Sequence, residues 1–343
     1  MALAPDGLTL ISGRNGEGKT NLLEAVGWLA TLSSFRGALP DALVRAGAAQ
    51  AVVRGLGRRD GRELLVEGSI PRIGRTRVQV NRQPLRRARD LLGALRVTVF
   101  SPDDLALVKG GPAGRRAYLD DLLVSSHPKW EVVRSDVERV LRQRATLLRQ
   151  AGGRLTPEVA LTLDVWDAQL AAHGTALAEG RETLVADLSP HVSSAYAALA
   201  GAPVEVTLAY AAPWRAGGGL AEALAAARTE DVRRGVSTVG PHRDDLVLSI
   251  AGLPARTHAS QGEQRTLALA LRLGGHAVVQ RAAGEAPVLL LDDVFSELDE
   301  QRATALVARL PPGQALLTAA GAIPPGISPA LCLRVEAGNV SAL

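Results

Sequence analysis

The chain has 343 residues, a formal net charge of +4 and one cysteine, Cys332. This length allows a large core and predicts two lobes, while the single cysteine excludes a disulfide framework and favours a reducing, cytoplasmic location. No apolar run approaches the ~20 residues that a membrane-spanning helix needs, and we recognise no signal peptide. The composition therefore excludes a small disulfide-stabilised protein and an integral membrane protein.

The positive charge is unevenly distributed along the chain. Residues 54–116 contain 15 basic and 6 acidic residues, a local net charge of +9. Such a block favours a polyanionic partner, most often nucleic acid, although a solvated face in an arginine-rich chain gives the same pattern. Because aromatic residues make up only 3% of the chain, we expect any DNA to be held through its phosphates rather than by base stacking.

The first predicted strand, Leu8 to Ile11, leads into a glycine-rich stretch and then into apolar positions at helical spacing. This strand–loop–helix context supports a phosphate-binding loop of the form GxxxxGK[ST]. We expect its residues to bind nucleotide: Gly13, Arg14, Asn15, Gly16, Glu17, Gly18, Lys19 and Thr20. Lys19 would reach the β- and γ-phosphates and Thr20 would ligate Mg²⁺. The alternative is a glycine-rich turn that merely caps a helix.

The residues that precede this strand are few. Met1 lies seven residues before Leu8, whereas nucleotide-binding heads of this kind normally have one or two strands before the loop strand. We therefore expect either a misassigned start or a missing sheet edge.

The middle of the chain separates into a β-rich and a helical region. Residues 50–80 contain strand-like runs that predict an antiparallel subsheet, and Leu95 to Phe100 predicts a further strand. From about residue 115 to residue 200 the pattern is helical, with a second helix over about 158–182 joined near residue 153. We predict a discontinuous head formed by residues 1–114 and 236–343, with residues 115–235 as a mainly helical second lobe.

The sequence Ser260, Gln261, Gly262, Glu263 opens the next predicted helix. One interpretation is a capping box, in which serine and glutamate satisfy unpaired N–H groups. The other is the signature loop of ABC-type ATPases, which presents a serine and a helix N-terminus to the γ-phosphate held by another subunit. The two interpretations are compatible.

A buried parallel strand is predicted at Val288 to Leu291, followed by Asp292 and Asp293. Ligands of open α/β sheets bind at the carboxyl ends of such strands. We expect Asp292 to hold Mg²⁺ together with Thr20, and Asp293 to polarise the attacking water, so that Lys19, Asp292 and Asp293 form the catalytic set. The alternative for the aspartates is a helix N-cap after a strand. A last core strand is predicted from Gln314 to Thr318.

Taken in order, these motifs resemble the ABC-type ATPase heads of DNA-repair proteins, and the whole chain after residue 8 resembles the RecF family of recombination mediators. Two of the stretches that carry the match are not general ATPase motifs. The four read NGEGKTNLL (15–23), FSPDDLALVKGGPAGRRAYLD (100–120), TVGPHRDDL (238–246) and LLLDDVFSELD (289–299). The implied fold is α/β, a P-loop ABC-type head with mixed sheets plus a mainly helical lobe.

The resemblance also implies a function. It implies a cytoplasmic protein that binds ATP and Mg²⁺, forms an ATP-dependent homodimer, binds DNA, and acts with RecR and RecO to load RecA at gaps. Asp293 stands where ABC transporters have glutamate, and Thr318 where they have a switch histidine. Slow hydrolysis is therefore expected.

Three alternatives remain at this point. An ABC transporter ATPase subunit or a small-molecule P-loop kinase would share the phosphate-binding loop, and a purely structural coiled-coil ATPase would need a far longer arm. The chemistry of His242 and Arg243, in the third stretch, does not follow from the sequence, and we expect a structural hydrogen bond for His242.

Overall fold

A computed structural model describes residues 1–59, 61–321 and 323–343. The described chain folds as two compact units. The first unit comprises residues 1–105, 194–203 and 265–343, and the second comprises 106–193 and 204–264. No helix in the described residues is long and apolar enough to cross a membrane.

The described residues form both strands and helices. The strands are β1 Gly7–Ser12, β2 Gln50–Arg59, β3 Arg62–Pro71, β4 Arg77–Val80, β5 Gln83–Pro84, β6 Val97–Phe100, β7 Val206–Ala211, β8 Asp245–Ile250, β9 Leu253–Pro254, β10 Val288–Asp292, β11 Gln314–Ala319, β12 Leu331–Glu336 and β13 Asn339–Ala342. The α-helices are α1 Lys19–Thr31, α2 Leu105–Lys109, α3 Pro112–Ser126, α4 Trp130–Gln150, α5 Pro157–Ala200, α6 Leu220–Arg234, α7 Ala255–His258, α8 Gln261–Ala283 and α9 Glu300–Val307. Short 3-10 helices span Pro40–Leu43, Ala88–Leu91, Pro102–Asp104, Pro213–Gly217 and Val294–Glu297.

The central sheet of the first unit has the strand order β13-β12-β1-β11-β10-β6. All of its neighbours run parallel except β12 and β13, which form an antiparallel hairpin. Strands β10 and β11 read as nearly continuous apolar runs because helices or loops cover both faces of a parallel sheet. Their carboxyl ends lie at one edge, next to the start of α1, so the fold brings the predicted site residues of 13–20 and 292–293 to the same edge.

An antiparallel sheet of order β2-β3-β4-β5 also belongs to the first unit and packs against α1. Trp28 and Leu29 of α1 are buried against Val66, Ile70 and Val78 of this sheet. The mixed α/β head with an antiparallel subsheet, expected from the sequence, is confirmed.

The second unit is mainly helical and contains the small antiparallel sheet β7-β8-β9. Leu148, Leu163 and Val232 form one of its cores. Beside this core, the fully buried Arg144 donates to Asp167 at 2.8 Å and to Asp231 at 2.7 Å. Burial of an arginine requires such partners, because an unpaired charge is costly away from water.

Two boundaries differ from the sequence-based expectation. The second helix of the lobe was expected to end near residue 182, but α5 continues to Ala200 because buried Leu184, Leu188 and Val192 maintain its apolar spacing, with Pro190 inside the helix. Residues 236–264 were assigned to the head, whereas their contacts place them in the second unit, because β8 pairs with β7.

Candidate functional site

The loop between β1 and α1 has a backbone that depends on glycine. Gly18 occupies the N-cap of α1 in the left-handed region, with φ of 101°. A Cβ atom on Gly13, whose φ is +154°, would lie 2.5 Å from the carbonyl oxygen of Val335. Glycine is the residue that tolerates both conditions, so the loop can approach β12 closely and still begin the helix at Lys19. The N–H groups of the first helical turn remain available for an anion.

Lys19 folds back over this loop. Its side chain is buried, and Nζ donates to the carbonyl oxygen of Gly13 at 2.8 Å and to that of Arg14 at 3.0 Å. An ammonium group has three donors on a flexible stem, so it can bridge two loop carbonyls and retain one donor for a phosphate oxygen. The positive charge is thereby held inside the loop.

Asp292 ends β10 and receives two hydroxyl groups. The Oγ1 atoms of Thr20 and Thr318 both donate to its Oδ1, at 2.9 and 2.8 Å. Thr20 opens α1 and Thr318 lies opposite Asp292 in the register of β10 and β11. A threonine hydroxyl that donates its one proton to a carboxylate keeps lone pairs for a cation. The oxygens of Thr20 and Asp292 therefore match the hard oxygen ligands that Mg²⁺ prefers.

Asp293 adopts a left-handed backbone, with φ of 48° and ψ of 29°. Its N–H donates to Thr318 Oγ1 at 2.9 Å, and its carbonyl oxygen accepts from Ser296 Oγ at 2.8 Å. It occupies the N-cap of a 3-10 helix, but within the described residues its carboxylate makes no capping hydrogen bond. The N-cap alternative therefore does not account for the acidic side chain, and the role of Asp293 in hydrolysis stays a prediction.

The Ser260 loop lies in the second unit and forms a capping box. The N–H and the hydroxyl of Ser260 both donate to Glu263 Oε2 at 2.7 Å, and the N–H of Glu263 is 3.3 Å from Ser260 Oγ. Gln264 anchors the first turn of α8 by donating to the carbonyl oxygen of Ala255 at 3.0 Å. The capping-box interpretation is confirmed, and the signature-loop role of Ser260, Gln261, Gly262 and Glu263 stays a prediction.

The two stretches that are not general ATPase motifs meet in the second unit. Arg115 binds the carboxylate of Asp245 through two N–H donors at 2.8 Å each, and Arg116 donates to the carbonyl oxygen of Asp244 at 2.7 Å. Arg181 forms a bidentate pair with Asp120 and also donates to the carbonyl oxygen of Pro241 at 2.7 Å. These contacts fix the segment 241–245 in place.

His242 and Arg243 both contact the carbonyl oxygen of Ser237. The distance from His242 Nε2 is 3.1 Å, and Arg243 Nη2 donates at 2.9 Å. Burial lowers the pKa of His242. This contact is the structural hydrogen bond that the sequence analysis expected for His242.

A cavity beside the phosphate-binding loop was not anticipated from the sequence. The N–H of Ala337, in the tight turn of the β12–β13 hairpin, donates to the carboxylate of Glu17. The same turn lines a cavity of about 590 Å³ in the first unit. The remaining lining residues are Asn21 and the segment 42–46, so the cavity adjoins the first turn of α1. β12 buries Leu333 and Val335 at alternate positions, whereas β13 has only four residues, most of them exposed, and therefore leaves no clear sequence signal.

The fold and these carboxyl-edge residues define the class of protein. The chain resembles an Smc head bound to the C-winged helix domain of ScpA, with a TM-score of 0.56, 17% identity, and coverage of 100% of this chain and 91% of that chain. At this identity the likeness concerns the fold alone. The fold is therefore that of an ABC ATPase-like head of the SMC type.

A more specific relationship follows from sequence. The family described as RecF/RecN/SMC N terminal domain matches residues 2–315. The DNA replication and repair protein RecF of Frankia alni is 48% identical over 339 residues, covering 93% of this chain and 89% of that protein. A structure of the recombination mediator protein RecF-ATP in the RecFOR pathway matches with a TM-score of 0.90 and 30% identity, over 98% of this chain and 92% of that chain.

The chain therefore belongs to the RecF family, as its four motif stretches predicted. This membership decides against the transporter subunit and the small-molecule kinase.

Proposed function

We propose that this protein is an ATP-dependent DNA-binding recombination mediator of the RecF type, which dimerises on ATP and hydrolyses it slowly. The observation that carries the proposal is the convergence of Thr20 and Thr318 on one oxygen of Asp292, beside the loop that holds Lys19. Relatives named DNA replication and repair protein RecF, and a neighbour described with ATP, support it. By the same argument, RecR and RecO are the expected partners and RecA loading the expected outcome.

In this proposal, the residues of the phosphate-binding loop have separate roles. Backbone N–H groups at the start of α1 bind phosphate oxygens, and Lys19 turns its remaining donor toward the β- and γ-phosphates. Thr20 and Asp292 hold Mg²⁺, which supplies charge neutralisation of the phosphates. Asp293 accepts a hydrogen bond from the attacking water and so orients it.

We place the nucleoside part of ATP in the cavity beside the loop. Its volume lies within the range of small-molecule sites, and Asn21 at its wall supplies a side chain that can both donate and accept. Glu17 fixes the hairpin turn that forms the opposite wall. This cavity would provide contacts to the base.

The ATP-dependent dimer is inferred from the Ser260 loop. This loop is exposed at the N-terminus of α8, where a γ-phosphate held by a second copy could bind the free N–H groups and replace Glu263 as the acceptor of the Ser260 hydroxyl. A two-fold arrangement would use each loop once and enclose two ATP molecules. ATP would then stabilise the dimer because it binds the dimer better than the monomer.

The DNA-binding surface is proposed to lie on the β2–β5 sheet. Arg54 pairs with Glu67, but the other exposed arginines of this surface form no ion pair within the described residues: Arg58, Arg62, Arg75, Arg77, Arg82 and Arg86. Arg82 stands in the tight β4–β5 turn with φ of 66°, where a non-glycine residue is uncommon. Free guanidinium groups of this kind match the phosphates of duplex DNA.

Isothermal titration with ATP tests the nucleotide part of the proposal. Lys19→Met should fold normally and show no measurable binding of ATP, because the charge inside the loop is lost. Lys129→Met is the matched control, since it removes an exposed lysine of the second unit and should bind as wild type. Wild-type affinity in Lys19→Met would end the proposal.

DNA binding is tested by titrations at several salt concentrations. The triple variant with Arg75, Arg77 and Arg82 changed to Gln should bind duplex DNA more weakly, with a log–log salt slope smaller by about 0.9 for each phosphate that is no longer neutralised. The control Arg154→Gln removes an exposed arginine outside this surface and should leave the slope unchanged. An unchanged slope in the triple variant would exclude the sheet as the DNA surface.

A further inference from the structure

Thr318 is linked to both adjacent aspartates of the site. It lies at the end of β11, is 1% exposed, and pairs in register with Asp292. Its hydroxyl accepts the N–H of Asp293 at 2.9 Å and donates to Asp292 Oδ1 at 2.8 Å. The hydroxyl thus accepts once and donates its one proton to Asp292, with the carbonyl oxygen of Leu291 farther away at 3.5 Å.

We propose that Thr318 is a positioning residue, whose hydroxyl holds the backbone of Asp293 so that its carboxylate faces the γ-phosphate. The proposal rests on the proposed function, since it assigns a residue to the same hydrolysis. Threonine is β-branched and has restricted rotamers in a strand, so β11 fixes the direction of the hydroxyl. The left-handed backbone of Asp293 is uncommon for a non-glycine residue and needs surrounding contacts to persist.

The same hydroxyl connects the aspartates to the phosphate-binding loop. Asp292 Oδ1 accepts from Thr20 as well as from Thr318, so a shift of Thr20 changes how this oxygen is shared. Because the Thr318 hydroxyl also accepts the N–H of Asp293, a movement of this hydroxyl also moves the backbone of Asp293. The position of the Asp293 carboxylate, which orients the water, thus depends on Thr20 at the phosphate-binding loop. The connection requires the hydroxyl of Thr318, because a side chain of the same shape without a hydroxyl cannot form these hydrogen bonds.

Steady-state ATP hydrolysis in the presence of DNA measures the effect. Thr318→Val should lower kcat at least tenfold, while the dissociation constant for ATP stays within twofold, because binding groups are retained. Thr318→Ser restores the hydroxyl and should stay within threefold of the wild-type kcat. Thr98→Val is the matched control: it makes the same change at a buried threonine on β6, whose hydroxyl lies 3.1 Å from His276 Nδ1, and kcat should not change.

A double variant separates positioning from a general structural effect. If Thr318 acts through Asp293, then Thr318→Val should lower kcat less than twofold further in an Asp293→Asn background. A full additional tenfold loss, a wild-type kcat in Thr318→Val, or a raised KM with unchanged kcat would each overturn the proposal.

Amide hydrogen exchange gives a readout that does not depend on activity. The N–H of Asp293 should be protected in the wild type and should exchange at least tenfold faster in Thr318→Val. An unprotected Asp293 amide in the wild-type protein would overturn the proposal even if Thr318→Val fails to fold. A wild-type protein that protects this amide but neither binds nor hydrolyses ATP would instead refute the proposed function.

Discussion

Replacement of Ser260 by arginine separates the two interpretations of its loop. In the structure the Ser260 hydroxyl donates to Glu263 Oε2 and lies 3.3 Å from the N–H of Glu263. An arginine cannot accept from that N–H, so loss of the cap should lower monomer stability by about 1 kcal/mol. Binding of ATP to the monomer should persist, because Lys19, Thr20 and Asp292 keep their contacts.

The effect on the proposed dimer should be much larger. A hydrogen bond to a charged group contributes roughly 1.5–3 kcal/mol, and two-fold symmetry repeats the loss at both nucleotides. The dimer should therefore lose about 3–6 kcal/mol, which raises its dissociation constant by roughly 10²- to 10⁴-fold. The ATP-dependent part of DNA binding should disappear with it.

Analytical ultracentrifugation with a slowly hydrolysed ATP analogue measures this change. Wild type and Ser260→Thr should both sediment as dimers, since threonine keeps a hydroxyl at the cap, whereas Ser260→Arg should remain monomeric. The reasoning is refuted by a wild-type protein that stays monomeric at saturating analogue, or by a Ser260→Arg protein that dimerises as wild type does.

The remaining predictions concern hydrolysis and stability. Asp293→Asn should bind ATP normally but turn over at least tenfold more slowly, about 1.4 kcal/mol of barrier, and equal turnover would assign the water to another group. Arg144→Met should lower the free energy of unfolding by about 3–5 kcal/mol in denaturant titrations, because it leaves the buried Asp231 without its cation and Asp167 with Arg228 alone; a loss below 1 kcal/mol would contradict this. Burial lowers the pKa of His276 to about 4, so its neutral form stabilises the fold above pH 6.5, and roughly 3 kcal/mol should be lost as the pH falls from 6.5 to 4. His276→Gln should flatten that pH dependence, and an unchanged slope would exclude this histidine as its source.

Local patterns were sufficient to predict the elements of the central sheet that carry the site. The strand before Gly13, the helix from Lys19 and the strand that ends at Asp292 all lie where apolar spacing put them. These elements are predictable because a strand buried on both faces and a glycine-rich turn into a helix leave strong local signals. The carboxyl ends of β1 and β10 then lie close together because parallel strands of one sheet end at the same edge.

Contacts between residues distant in sequence were not predictable in the same way. The hydroxyl of Thr318 meets Asp292 only because β11 lies beside β10 in a particular register, and one sequence carries no signal for register between parallel strands. The cavity wall at Ala337 depends likewise on the pairing of β12 with β13, a four-residue strand that is mostly exposed. The assignment of β8 to the head failed for the same reason, since its partner β7 precedes it by a whole helix.

The two stretches without general ATPase chemistry have a physical explanation in their mutual contacts. Arg115 pairs with the carboxylate of Asp245, and Arg116 donates to the backbone carbonyl of Asp244. Arg181 pairs with Asp120 of the first stretch and donates to the carbonyl oxygen of Pro241 in the second. Charge pairs of this kind contribute little at a surface, but they discriminate strongly against wrong partners once buried, because an unmatched charge is expensive. Each stretch thus supplies partners for the charged side chains of the other, and either stretch alone would leave those side chains unpaired. These contacts hold the loop that contains His242 in place, and His242 itself contacts a backbone carbonyl. Because Arg115 and Asp245 stand 130 positions apart in the sequence, the structural role of this loop could not be derived from the sequence.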